Sequence, residues 1–194
     1  MHSAEGKHMK LVILDRDGTI NEDSDDYIKS ADEWVPLPGA LEAIARLNHA
    51  GWHVVVASNQ SGVGRGLFDM SALNAMHGKM HRLLAAVGGR IEAIFFCPHA
   101  PEEQCQCRKP EPGLFVQIGE RFGVDLHTVP VVGDTSRDLV AGAAVGCEPH
   151  LVLTGKGEAY RGRQLPDSFP AHTVVHEDLS GFVDYLLTRD QPTT

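Results

Sequence analysis

The stretch Leu11-Val12-Ile13-Leu14-Asp15-Arg16-Asp17-Gly18-Thr19-Ile20 decides how the rest of the chain is read. Its opening apolar run predicts a buried strand of a parallel sheet, where both faces are covered and apolar residues are continuous. The run stops in two carboxylates two residues apart. On an extended chain such residues point the same way. Asp15 and Asp17 are therefore expected to serve one site at the strand's carboxyl end, where open α/β sheets bind their ligands. Adjacent acids repel, and a cation is the usual way such a pair stays ionised. On this segment alone a plain polar turn stays open, because Asp-Gly is a common turn pair.

Working outward, 194 residues with 42% hydrophobic content are enough for one ordinary domain with a full core. Met1 to Met9 is polar and lacks a secretory pattern, so residues 1–9 read as a leader or tag remnant and 10–190 as the domain. No apolar run approaches membrane-spanning length. The net charge of −9 weighs against nucleic acid or anionic membrane as a partner. It leaves room for an anionic small molecule, since a cleft needs only local positive charge. A cytoplasmic monomer is expected, the latter because no long apolar seam is left over.

Taken in order, Asn21 to Lys29 is an acidic loop above the site. Pro36-Leu37-Pro38-Gly39 opens a helix with Leu41, Ile44, Ala45 and Leu47 at helical spacing. A second strand, His53 to Ala57, ends in Ser58-Asn59-Gln60-Ser61-Gly62. Hydroxyls, amides and free backbone N–H groups there suit an oxyanion, although a turn plus helix cap would use the same residues. Gly62 to Gly66 is too glycine-rich for a helix interior and keeps one cation, Arg65. A helix over 71–87 and a strand over 91–96 follow, then a helix after Pro112. A strand at 129–132 closes in Gly133-Asp134-Thr135-Ser136-Arg137-Asp138, with a helix over 139–145. A strand at 151–153, a short edge strand at Val174-Val175 and a helix over 179–187 complete the pattern. Such alternation predicts an α/β fold, a three-layer Rossmann-like parallel sheet with helices on both faces. Asp15/Asp17, Ser58, Lys109 and Asp134/Asp138 all follow strands or connections, and their convergence at one sheet edge is hard to explain as turns.

Cys97, His99, Cys105 and Cys107 sit within one short loop at 97–107. Three thiolates and an imidazole make a closed tetrahedral Zn²⁺ set of the structural kind, in a reducing compartment. Free thiols that happen to cluster are the alternative. The loop has almost no apolar residues, so zinc would fix it and aim Arg108 and Lys109. Cys147 reads as a small buried side chain.

The four strand-end motifs together resemble the haloacid dehalogenase-like phosphohydrolases. Asp15-Arg16-Asp17-Gly18-Thr19 matches the first motif, Ser58 the second, Lys109 the third and Gly133-Asp134…Asp138 the fourth. Ser-Asn-Gln-Ser-Gly and Cys-Pro-His…Cys-x-Cys-Arg-Lys-Pro narrow this to the branch of heptose 1,7-bisphosphate 7-phosphatases and histidinol-phosphate phosphatases. The resemblance implies a core with the first strand central and no large cap domain. It implies Asp15 as nucleophile, Asp17 as acid and base, and Ser58 and Lys109 on the phosphoryl oxygens. Mg²⁺ is implied on Asp15, the backbone carbonyl of Asp17 and Asp134, with Asp138 orienting from behind. The implied substrate is a phosphorylated sugar, favoured as the heptose bisphosphate of lipopolysaccharide-core precursor synthesis, with Asn59, Gln60, Ser61, Arg65 and Arg108 as its contacts. Histidinol phosphate is the rival within that chemistry. A phospho-accepting receiver module and a zinc-bearing nucleic-acid adaptor are rivals of other classes; receivers do not need Asp17, and the acidic balance opposes the adaptor.

Overall fold

In the computed structural model, which describes residues 9–191, six parallel strands form one sheet in the order β3-β2-β1-β4-β5-β6. Residues 1–8 of the expected leader lie outside the described residues. Strand β1 (Leu11–Leu14) is flanked by β2 (His53–Asn59) and β4 (Pro130–Gly133). Leu14 pairs with Val56 on one side and Val132 on the other. That register brings the residues after each strand to one level, and the chain reverses direction of winding between β1 and β4. In such sheets the crevice at this switch point takes the ligand.

Alternate residues of β1 enter two cores, as the pleat requires. Val12 and Leu14 join Ile44 and Leu47 of α1 (Ala40–His49), Met76 and Met80 of α3 (Met70–Ala86), and Phe182 and Leu186 of α6 (Leu179–Arg189). Leu11 and Ile13 face Leu114, Phe115 and Ile118 of α4 (Gly113–Phe122), and Leu139 and Ala141 of α5 (Ser136–Ala143). All of these are buried, and each large one contributes roughly 1.5–3 kcal/mol. Continuous burial on both faces is why the run 11–14 carries no polar residue. The outer strands are β3 (Ala93–Cys97) and, beyond β5 (Glu148–Val152), the short β6 (Val174–His176) at the expected edge. Among the described residues, no helix is long and apolar enough to cross a membrane.

Two expectations need correction. The glycine-rich stretch forms a single helical turn, α2 (Ser61–Gly64), rather than a plain loop. Gly62 is required there by space: a Cβ would meet Cε1 of Phe68 at 2.2 Å. The helix expected over 139–145 begins at Ser136, because Asp138 accepts hydrogen bonds from the backbone N and hydroxyl of Thr135 at 3.1 and 2.9 Å. A polar first turn, capped this way, is invisible to apolar spacing.

Candidate active site

At the carboxyl end of β1, the Asp15 backbone N still donates to Val132 O at 2.8 Å, so its side chain projects where β1 and β4 part. Lys109, 2% exposed, donates from Nζ to Asp15 Oδ1 (2.8 Å) and to Ala57 O (2.7 Å), and pairs with Asp138 Oδ1 (2.7 Å). Burial opposes the ammonium, but Asp138 and Asp15 outweigh it and raise its pKa. Burial and Asp138 lift Asp15 to about 7 against the pull of Lys109. Burial, then Asp15 and Asp138, raise Asp134 well above the usual carboxylate range. Carboxylate oxygens of Asp15, Asp134 and Asp138 lie within 4.8 Å of one another. Three acids against one ammonium leave an excess of negative charge, and hard oxygen donors so arranged fit a divalent cation. Gly18 makes the approach possible. Its φ is +83°, and a Cβ would fall 2.0 Å from Asp134 Oδ2.

Asp17 stands apart from that trio. Its Oδ1 accepts from Arg16 Nε (2.8 Å) and Asn21 Nδ2 (2.9 Å), and its Oδ2 from Arg16 Nη2 and Gln60 Nε2 (both 3.1 Å). Burial would raise its pKa, but Arg16 and these amides outweigh burial and lower it. With both carboxylate oxygens engaged, only its backbone carbonyl is free to join a metal.

The surrounding cavity, about 250 Å³, is lined by Asp15, Asp17, Asn59, Gln60, Ser61, Arg108, Lys109, Asp134 and Asp138. The acidic loop contributes Asp23, Ser24, Asp25 and Tyr27. Ser58 is not on the wall: it is 1% exposed, and its hydroxyl accepts from Gln60 Nε2 at 2.8 Å. Asn59 lines the cavity, but its amide is turned onto the backbone of Lys109, receiving from N at 2.9 Å and giving to O at 3.1 Å. The placement of Arg65 is a correction. It lies outside this cavity and extends toward Glu102 at 3.8 Å, because Gly64 N, donating to Pro98 O, ties that turn to the cysteine loop. Sequence reasoning missed Arg137 and Lys156, which do line the cavity. The Lys156 backbone N donates to Asp134 Oδ2 at 2.8 Å, and its Nζ lies 3.7 Å from Asp23. Neither Arg108 nor Arg137 has a carboxylate partner among the described residues, and Nη1 of Arg108 is buried without a hydrogen bond. Its position beside Asp138 in the sequence was the signal that could have found Arg137.

In the cysteine loop, Cys97 Sγ lies 3.4 Å from His99 Nδ1 and 3.5 Å from Cys105 Sγ. Cys107 Sγ lies 3.3 Å from His99 Nδ1 and 3.6 Å from Cys105 Sγ. A tetrahedron with metal bonds of about 2.0–2.3 Å has edges of about 3.5–3.8 Å. The donor set thus has nearly the size a zinc ion needs, two residues before Lys109.

A strand-end carboxylate, a bridging lysine and an acidic cation site under a polar cleft define a phosphohydrolase of the haloacid dehalogenase type. The family model described as HAD-hydrolase-like matches residues 106–181. A D-glycero-beta-D-manno-heptose-1,7-bisphosphate 7-phosphatase of Bordetella bronchiseptica is 55% identical over 179 residues, 92% of this chain and 98% of that protein. Its counterpart of the same name from Pseudomonas aeruginosa is 52% identical, over 91% of this chain and 97% of that protein. The crystal structure of D,D-heptose 1,7-bisphosphate phosphatase from B. bronchiseptica, complexed with magnesium and phosphate, superposes with a TM-score of 0.89. Identity there is 54%, covering 93% of this chain and 99% of that one. The chain belongs to the haloacid dehalogenase-like heptose bisphosphate phosphatase family.

Proposed function

We propose that this protein removes the 7-phosphate of D-glycero-D-manno-heptose 1,7-bisphosphate, with residues 10–190 acting as one domain. One observation carries the reading beyond family membership. The cavity that holds Asp15 and Lys109 also holds two guanidinia, Arg108 and Arg137, neither of them in an ion pair among the described residues. A bisphosphate brings a second dianion, and an arginine fork meets it with paired hydrogen bonds.

Asp15 attacks phosphorus and carries the phosphoryl group as an acyl phosphate, which water then hydrolyses. Asp17 acts on the departing sugar oxygen from its protonated form, a minor one because Arg16 and the amides lower its pKa, and, once ionised, takes a proton from the attacking water. Lys109 offsets charge on the phosphoryl oxygens, while Ser58, off the cavity wall, acts through the Gln60 amide that it holds. Asp138, with both oxygens engaged by Lys109 and Thr135, orients Lys109. Asp15, Asp134 and the Asp17 carbonyl would hold Mg²⁺, which when bound supplies the positive charge that keeps Asp15 ionised and neutralises phosphate. Cys97, His99, Cys105 and Cys107 would hold a structural Zn²⁺ that keeps Arg108 and Lys109 in place.

The test is a substrate panel read by phosphate release. The specificity constant for the heptose 1,7-bisphosphate should far exceed that for histidinol phosphate, whose cationic groups would seek Asp23 and Asp25 instead. Arg108→Ala and Arg137→Ala should each cost roughly 1.5–3 kcal/mol on the bisphosphate and less on a monophosphate ester. Arg65→Ala should cost nothing. A preference for histidinol phosphate overturns the assignment.

A further inference from the structure

The residue between the two acids of β1's motif is an arginine with no solvent exposure at all. Burying a guanidinium costs several kcal/mol unless its charge and its donors are met. Arg16 is met from two directions. Nε and Nη2 grip Asp17 at 2.8 and 3.1 Å. Nη1 turns the other way, to Nε2 of His77 at 3.2 Å, with the Met76 sulfur at 4.0 Å. His77 lies midway along α3, is 8% exposed and tilts against the Phe96 ring. Burial, then Arg16, keep its pKa down at about 4, so the ring is neutral and Nε2 can accept. Helix α3 puts no residue into the cavity, and neither Arg16 nor His77 has a part in the chemistry described above.

We propose that His77 and Arg16 are positioning residues through which α3 sets the place of the Asp17 carboxylate. The inference rests on Asp17 as the proton donor and acceptor. Without an acceptor at position 77, Nη1 is a buried orphan donor, and the guanidinium must shift to find another partner. Asn21 and Gln60 still reach one Asp17 oxygen each, so the carboxylate stays in the site with a looser position. Proton transfer needs hydrogen-bond reach of about 2.6–3.2 Å, and small misplacements are expensive in rate.

Such a loss depends on the leaving group. A sugar alkoxide departs poorly without a proton, whereas p-nitrophenolate is stable enough to leave as the anion. The experiment compares KM and the single-turnover rate of leaving-group release, which reads transfer to Asp15 before the water step that both substrates share, on the heptose bisphosphate and on p-nitrophenyl phosphate, in Mg²⁺, with thermal melting of each variant. His77→Leu should lower that rate on the sugar about tenfold or more, leave its KM in place, and change the release of p-nitrophenolate less than about threefold. His77→Gln, which offers an acceptor oxygen, should restore most of the sugar rate. Arg16→Lys, with charge but no fork, should show the same selective loss as His77→Leu. Asp17→Asn should show the largest selective loss. If Asp17→Asn hits both substrates equally, the acid–base reading falls and this inference with it. If Asp17→Asn is selective while the His77 and Arg16 variants lose equally on both substrates, or lose nothing, the inference alone is overturned.

Discussion

Two clusters of ligand-type side chains lie side by side in this molecule and are built in opposite ways. Cys97, His99, Cys105 and Cys107 come from one short loop. Asp15 follows β1, Asp134 follows β4 and Asp138 stands in the first turn of α5, and they meet because β1 and β4 are neighbours in register. The acid cluster rests on a sheet buried on both faces. Half of the loop over 98–107 is exposed, and it offers little apolar surface of its own. The sheet therefore imposes the geometry of one cluster, and a bound ion would have to impose that of the other. Loss of metal should silence the first cluster with its shape intact, and unmake the second.

The largest expected effect comes from the acid cluster. Asp15→Asn keeps shape but removes the attacking charge, so turnover should essentially vanish while thermal melting stays close to wild type. Activity retained within about tenfold, about 1.4 kcal/mol of barrier, would rule out covalent catalysis through Asp15. Chelation sharpens the contrast next. Brief EDTA treatment should abolish activity and Mg²⁺ restore it, with Ca²⁺ a poor substitute because it is larger and less strict in geometry. Metal analysis of the treated protein should still find about one zinc per chain. Cys105→Ala should release that zinc, lower the melting temperature and reduce activity only indirectly, through displaced Arg108 and Lys109. Protein made with ample zinc yet carrying none would break the comparison.

The smallest effect lies outside both clusters, at the β6 edge. His150 Nδ1 and His176 Nε2 are 3.0 Å apart in a buried aromatic nest with Phe182 and Tyr185, while Glu148 lies 3.7 Å from His150 Nε2. Burial, then His176 and Arg189, lower His150 from 6.5 to about 3. Burial lowers His176 to about 4. A depressed histidine takes its proton more readily unfolded, so its stability contribution is full above 6.5 and is lost as pH falls toward those folded values. The slope is up to about 1.4 kcal/mol per pH unit for each histidine. The raised Asp15 and Asp134 act in the opposite sense, so the measurement is a difference. Denaturant melts between pH 7 and 4 should show a shallower acid loss for His176→Phe than for wild type, and parallel curves would exclude the histidine pair as the cause.

The order of strands and helices was legible because β1 and β2 carry unbroken apolar runs and the helices repeat at 3.6. Asp15, Lys109, Asp134 and the cysteine loop were legible because each stands where a strand or connection ends. Arg65 and Arg137 reverse the expectation. Both follow a strand-end motif, but the α2 turn is tied to Pro98 and carries Arg65 away, while the capped first turn of α5 brings Arg137 to the cleft. Asn59, expected as a substrate contact, lines the cavity with its amide clamped on the Lys109 backbone, across fifty residues of chain.

Sequence alone determined the local chemistry of this protein: which strand ends carry acids, and which loop carries a complete soft-ligand set. Those features follow from side-chain type and near-neighbour spacing, which a linear text contains. Only the tertiary structure decided which charges share a cavity, that Arg16 is buried between Asp17 and a histidine on α3, and that Arg108 and Arg137 form no ion pair among the described residues. Burial and charge pairing depend on distances between residues far apart in the chain, and those distances exist only once the sheet has set its order and register.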